Sequence, residues 1–264
     1  MGSAAPSLTH LRQTLATLDP GLAPGFAEEA RPIGLAVPLD AVLGGGLSRG
    51  ALHELAPMAP IDLAAATGFA VALAALASRQ RGQELRQVLW IATDFAALEG
   101  GGPYGPGLDR HGLAAERLLV LRVPRAVDAL WAMEEALRCR ALSAVVAELP
   151  REGADADLTA TRRLTLAARD GAALALLLRH HATPEPIAAA TRWRIAAAAS
   201  VPDRYGGLGS TAFDLSLVKN RRGPTGRWTV TWDHHERTFN TAISLALAAP
   251  AVDRPDRTPQ ICVG

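Results

Sequence analysis

Four short, continuous apolar runs leave this chain few folds to choose from: VLWIAT (88–93), LLVLRV (118–123), AVVAEL (144–149) and ALALLL (173–178). A strand that is apolar at every position is buried on both faces, which is the signature of a parallel sheet covered by helices on each side. The stretches between the runs fit that reading. Residues 126–140 place Val127, Leu130 and Leu137 on one side of a helix, and 156–170 is a second helical stretch. Strand and helix therefore alternate, with right-handed crossovers, and the expected fold is α/β with all four runs as inner strands. The C-terminal third changes period. FDLSLVKN (213–220) and RWTVTWD (227–233) alternate apolar and polar residues around RRGPTG, which predicts an antiparallel hairpin extending the sheet.

Composition bounds the partners. Apolar residues make up 49% of 264 and charged residues 20%, so the chain is globular. A net charge of +1 excludes a strong overall basic field, though not a local nucleic-acid site. Cys139 and Cys262 form neither a disulfide framework nor a metal site, and a reducing cytoplasmic interior is the natural expectation. The first 30 residues lack a basic region followed by an apolar core. The most apolar run, 63–77, is too short to cross a membrane and reads as a buried helix.

The stretch GALHELAPMAPIDLAAAT (50–67) carries the sharpest functional information. It predicts a strand over 51–55, a turn, and a helix over 61–81, the frame in which phosphate-binding loops occur. Such a loop needs free backbone N–H groups, a lysine, and a Ser/Thr hydroxyl for Mg²⁺. Here Pro57 and Pro60 remove two donors, Asp62 or Leu63 stands where the lysine belongs, and alanines replace the hydroxyl. The turn Ala56, Pro57, Pro60, Asp62 is not built for ATP. Glu148 at the tip of its apolar run and Asp94 at the end of another are the remaining carboxylates of such a site. Neither predicts a metal or cofactor without the lysine. The adjacent pairs His180–His181 and His234–His235 diverge on a strand, and Ser48 and Ser210 lack a nucleophile-elbow context. No catalytic group is expected.

At the N-terminus, Leu8, Leu11, Leu15 and Leu18 form an apolar stripe at helical spacing, followed by the breaker DPGLAPG (19–25). This predicts a docking arm on a hinge, for a partner or a second copy. The expected organisation is arm and linker over 1–32, one core domain over 33–250, and a loose tail over 251–264.

The stretches LDAVLGGGLSRGALHEL (39–55), VLWIATD, ALSAVVAELP and FDLSLVKNRRGPTGRWTVTWD resemble the RecA core, over roughly residues 33–235. Within the RecA/SulA superfamily, GGGLSRGALHEL, AAATGFAVALA (64–74) and ATRWRIAAAAS (190–200) resemble the ImuA family. The resemblance implies a RecA-like P-loop core that has lost its ATPase chemistry. It also implies an accessory role in SOS-induced translesion synthesis and mutagenesis. The partners implied are ImuB, an ImuC-type error-prone polymerase reached through ImuB, and DNA; the implied localisation is the bacterial cytoplasm, at the nucleoid after damage. The alternatives are a working ATP-dependent DNA-binding ATPase and a SulA-like cell-division inhibitor. Arg192, Arg194 and Arg204, with Trp193 and Tyr205 beside them, and Lys219, Arg221 and Arg222 are the candidate DNA or partner contacts.

Overall fold

The computed structural model describes residues 31–79, 86–150, 156–202, 205, 207 and 209–241. The leucine stripe Leu8, Leu11, Leu15 and Leu18, the 251–264 tail, Cys262 and Arg204 lie outside the described residues. The first element is α1 (Val37–Leu43), opened by Pro38 in its first turn and closed by Gly44 in the left-handed region at φ 73°. Then follow β1 (Leu52–Pro57), a 3₁₀ turn (Pro60–Asp62), α2 (Leu63–Ser78), β2 (Gln87–Thr93), α3 (Asp94–Gly100) and α4 (Gly105–His111). Next come β3 (Leu118–Val123), α5 (Ala126–Leu137), β4 (Leu142–Leu149), α6 (Leu158–Gly171) and β5 (Leu174–Arg179). The chain ends in β6 (Thr191–Ala197), β7 (Ala212–Asn220), β8 (Gly226–Asp233) and β9 (Thr238–Thr241).

These nine strands make one sheet in the order β3-β2-β4-β5-β1-β6-β7-β8-β9. The first six run parallel and the last three join antiparallel, with β6 as the pivot. The predicted α/β class and antiparallel extension are both present, and the extension has three strands rather than two. Each sheet face has its own core. The Ala-rich α2 is buried on most sides and lies on one face with Trp90, Trp193, Phe213 and Trp232. Helices α5 and α6 cover the other face over Ile91, Val145, Ala147 and Leu177. That cover on most sides is why 63–77 reads as almost uniformly apolar.

Three expectations need correction. The run 118–123 is the edge of the sheet, not an inner strand: Leu119, Val120 and Leu121 are 50%, 51% and 38% exposed. The helix foreseen over 61–81 begins only after the 3₁₀ turn, because Pro60 sets the tighter turn and Asp62 bonds back to its start. The stretch after β2 contains two helices of seven residues each, α3 and α4, which the sequence reading did not foresee. Thr93 initiates the first by accepting a hydrogen bond from the Ala96 N–H at 3.1 Å.

Candidate functional site at the strand ends

The C-terminal ends of parallel strands are where an open α/β sheet places its ligands, and the degenerate turn, Glu148 and the loop after β2 meet there. In the turn, the Met58 N–H donates to the Ile195 carbonyl at 2.8 Å, and the Asp62 N–H to the Ala59 carbonyl at 2.9 Å. The Asp62 carboxylate accepts from the Ala59 N–H and, across the turn, from the Ala197 N–H, each at 3.1 Å. With Pro57 and Pro60 contributing no donor, the turn's own carboxylate takes N–H groups that a phosphate would otherwise need. Ile61, 90% exposed, stands on the outside of this turn.

Glu148 lies near the end of β4, only 6% exposed. Its carboxylate accepts from the Trp90 indole N–H at 3.0 Å and from His180 Nε2 at 2.8 Å. His180 Nδ1 lies 3.8 Å from the Glu99 carboxylate on α3. Asp94, the other carboxylate singled out in the sequence, is exposed at the first position of α3. Among the described residues no cluster of three or more His, Cys, Asp or Glu side chains has the arrangement of a metal site.

Beside Glu148 opens a pocket of about 390 Å³ between the first half of α2 and the 100–111 segment. Leu63, Val71, Trp90, Tyr104 and Leu108 supply its apolar wall. His111 closes one side. Its Nδ1 bonds the Gly107 carbonyl at 2.8 Å, its ring stacks on Trp232, and its Nε2 is buried with no hydrogen-bond partner among the described residues. Burial, the largest cause, holds the His111 pKa below the ordinary imidazole value.

The cationic candidates divide by position. Glu54 on β1, wholly buried, faces three arginines: Arg192 Nε at 3.0 Å, Arg194 Nη1 at 3.2 Å and Arg179 Nε at 3.5 Å. These side chains also tie down the segment between β5 and β6. Arg192 donates to the Glu185 carbonyl, Arg194 to the Thr183 carbonyl and Lys219 to the Ile187 carbonyl. Burial pushes the Arg179 and Lys219 pKa values down, against the attraction of Glu54. Trp193 is buried with Phe69 and Trp228, its indole N–H on the Thr191 hydroxyl, so its ring is covered by the core. Arg221 and Arg222 are exposed, with Arg222 donating to the Ser48 hydroxyl at 2.8 Å, and Tyr205 is 81% exposed.

Sequence reasoning located Glu148 but missed its partners Trp90 and His180, the arginine-binding role of Glu54, and the pocket nitrogen of His111. The GGGPYGPG run (100–107) after a strand end was the available signal for a lined cavity.

Fold and site together define a class: a mostly parallel α/β protein whose turn after β1 is occupied by its own aspartate, with an apolar pocket alongside. No family model matches the chain. It is 32% identical over 199 residues to Protein ImuA from two strains of Caulobacter vibrioides, NA1000 / CB15N and ATCC 19089 / CIP 103742 / CB 15. The match spans 70% of this chain and 76% of each relative. The chain belongs to the ImuA family.

Proposed function

We propose that this protein is a non-catalytic accessory factor of damage-induced mutagenesis, a RecA-like frame that acts by binding an ImuB-type partner. Family membership supports the cellular theme, and one observation carries the interaction role. Strand β3 ends the sheet with no strand beyond it among the described residues, and it exposes Leu119, Val120 and Leu121 in succession. Alternate side chains of β3 lie on opposite faces, so the edge offers apolar groups on both sides of a free row of N–H and C=O groups. Only Arg122 breaks the run with charge. Proteins ordinarily blunt such edges, and an unblunted one is a template for strand addition by a partner. The filled turn after β1, lacking a lysine, supports a role without ATP hydrolysis.

The test is capture of ImuB by the tagged chain, with Val120→Lys plus Leu121→Lys as the variant. Both positions are exposed, so the fold is expected to survive. We expect micromolar or tighter binding by the parent and at least tenfold weaker binding by the variant. No binding at tens of micromolar would remove the reading. Equal binding by the variant would exclude β3 as the surface.

A further inference from the structure

The pocket between α2 and the 100–111 segment has a polarity that restricts what enters it, independently of the protein-binding role. Beside the Tyr104 phenol, its ionisable groups are Glu148 and His111, and both are acceptors. Glu148 offers the second lone pairs of two carboxylate oxygens whose first bonds go to Trp90 and His180. His111 donates through Nδ1 to the Gly107 carbonyl, so Nε2 of the neutral ring carries a lone pair, buried and unused. No lysine or arginine lines the pocket. A phosphate or carboxylate beside Glu148 would face its carboxylate, while the nearest arginine, Arg122, stands outside the lining against Gly102.

Two glycines of the lining stand directly against these acceptors. A Cβ at Gly100 would sit 3.9 Å from Glu148 Oε1, and a Cβ at Gly68 would sit 3.6 Å from His111 Nε2. Any larger side chain at either place would cover the polar atom behind it. Apart from the hydroxyls of Thr67 and Tyr104 the rest of the wall is apolar and aromatic, and about 390 Å³ lies within the range of small-molecule sites.

We propose that this pocket binds a small aromatic amine or amidine, its N–H groups donating to Glu148 and its ring against Trp90 and Tyr104. The carboxylate accepts, so the ligand must donate; a positive charge on it complements the carboxylate in a site of low polarity.

The experiment is titration of the whole chain with benzamidine and tryptamine, with benzoate as the anionic near-isostere of benzamidine. Binding is followed by calorimetry and by the Trp90 indole N–H resonance, assigned with Trp90→Phe. We expect at least one of the two amines to bind with a dissociation constant below about 1 mM and to shift the Trp90 signal. Benzoate is expected to bind at least tenfold more weakly. Gly100→Leu, at an exposed position with no left-handed backbone requirement, should weaken amine binding at least tenfold while the melting temperature holds; Glu148→Gln should weaken it as much, with a lower melting temperature because the carboxylate also holds Trp90 and His180. Silence of both amines, benzoate binding equal to theirs, or undiminished binding to Gly100→Leu would each overturn the proposal. So would binding confined to an arginine side chain presented on a peptide, which would make the pocket a protein-anchor site.

Discussion

His53 shows how much a single buried residue can tie to the surrounding pH. It lies on β1, fully buried, in a relay that fixes its tautomer. The Trp193 indole N–H donates to the Thr191 hydroxyl at 2.8 Å, and that hydroxyl pairs with His53 Nδ1 at 2.7 Å. His53 Nε2 then donates to the Ser48 carbonyl at 2.8 Å. The Ser48 carbonyl can only accept, so Nε2 carries the proton, and with burial keeping the ring neutral Nδ1 is left to accept from the Thr191 hydroxyl. Burial is the main cause that lowers its pKa from 6.5 to about 4. The unfolded chain therefore binds a proton below pH 6.5 that the folded chain refuses until about pH 4. Stability from this group is complete above pH 6.5 and is lost as pH falls through that window. At pH 5 the loss relative to pH 7.5 is on the order of 2 kcal/mol, from about 1.4 kcal/mol per pH unit. Urea unfolding at the two pH values should show it. His53→Gln should shrink the difference by about that amount, and an unchanged pH dependence would show that another group carries it.

Among the elements, the contact between α5 and α6 depends on the absence of one side chain. Gly171, at the end of α6, lies so close to α5 that an added Cβ would meet the Leu137 carbonyl oxygen at 1.7 Å. That neighbour is backbone and cannot rotate aside, so the helices must separate. Gly171→Ala should cost at least 1–3 kcal/mol, the usual range for overpacking, read as a lower urea midpoint with unchanged slope. A neutral or stabilising result would mean that the α5–α6 packing adjusts freely.

Elements also set what the sequence revealed. The runs at 88–93, 144–149 and 173–178 were legible because a doubly covered strand must be apolar throughout. LLVLRV obeys the same pattern and yet lies at the edge, since composition carries no information about strand order. Helices α3 and α4 span two turns each, too short for a 3.6-residue period to emerge, and their local signs were the capping hydroxyl of Thr93 for α3 and Pro106 and Gly112 at the two ends of α4. The candidate site was legible only in part for a related reason. The Glu148 partners Trp90 and His180 lie 58 and 32 residues away in the chain. The three arginines on Glu54 come from two strands that flank β1 on opposite sides. Such groupings are made by sheet order, which no local spacing records.

For the molecule as a whole, ligand and fold are linked through one equilibrium, and that makes nucleotide affinity measurable without any assay of turnover. A ligand present at 100 times its dissociation constant stabilises the folded state by about 2.7 kcal/mol. For a domain of roughly 150–250 residues this corresponds to a rise of about 5–11 °C in melting temperature, at about 2–4 °C per kcal/mol. In the turn between β1 and α2, Asp62 bonds the Ala59 and Ala197 N–H groups with its own carboxylate. A triphosphate would have to displace that carboxylate and then remain beside it, with no lysine in the turn to offset the repulsion. The adjoining pocket, lined by Glu148 and lacking any lysine or arginine, offers the phosphates no better place. We therefore expect Mg-ATP at several millimolar to leave the melting temperature within about 1 °C of the unliganded value, at a level set by ionic strength alone. A shift of 5 °C or more that is absent with an equal concentration of Mg-pyrophosphate would establish a nucleotide site, and would return an ATP-dependent activity to consideration for this fold.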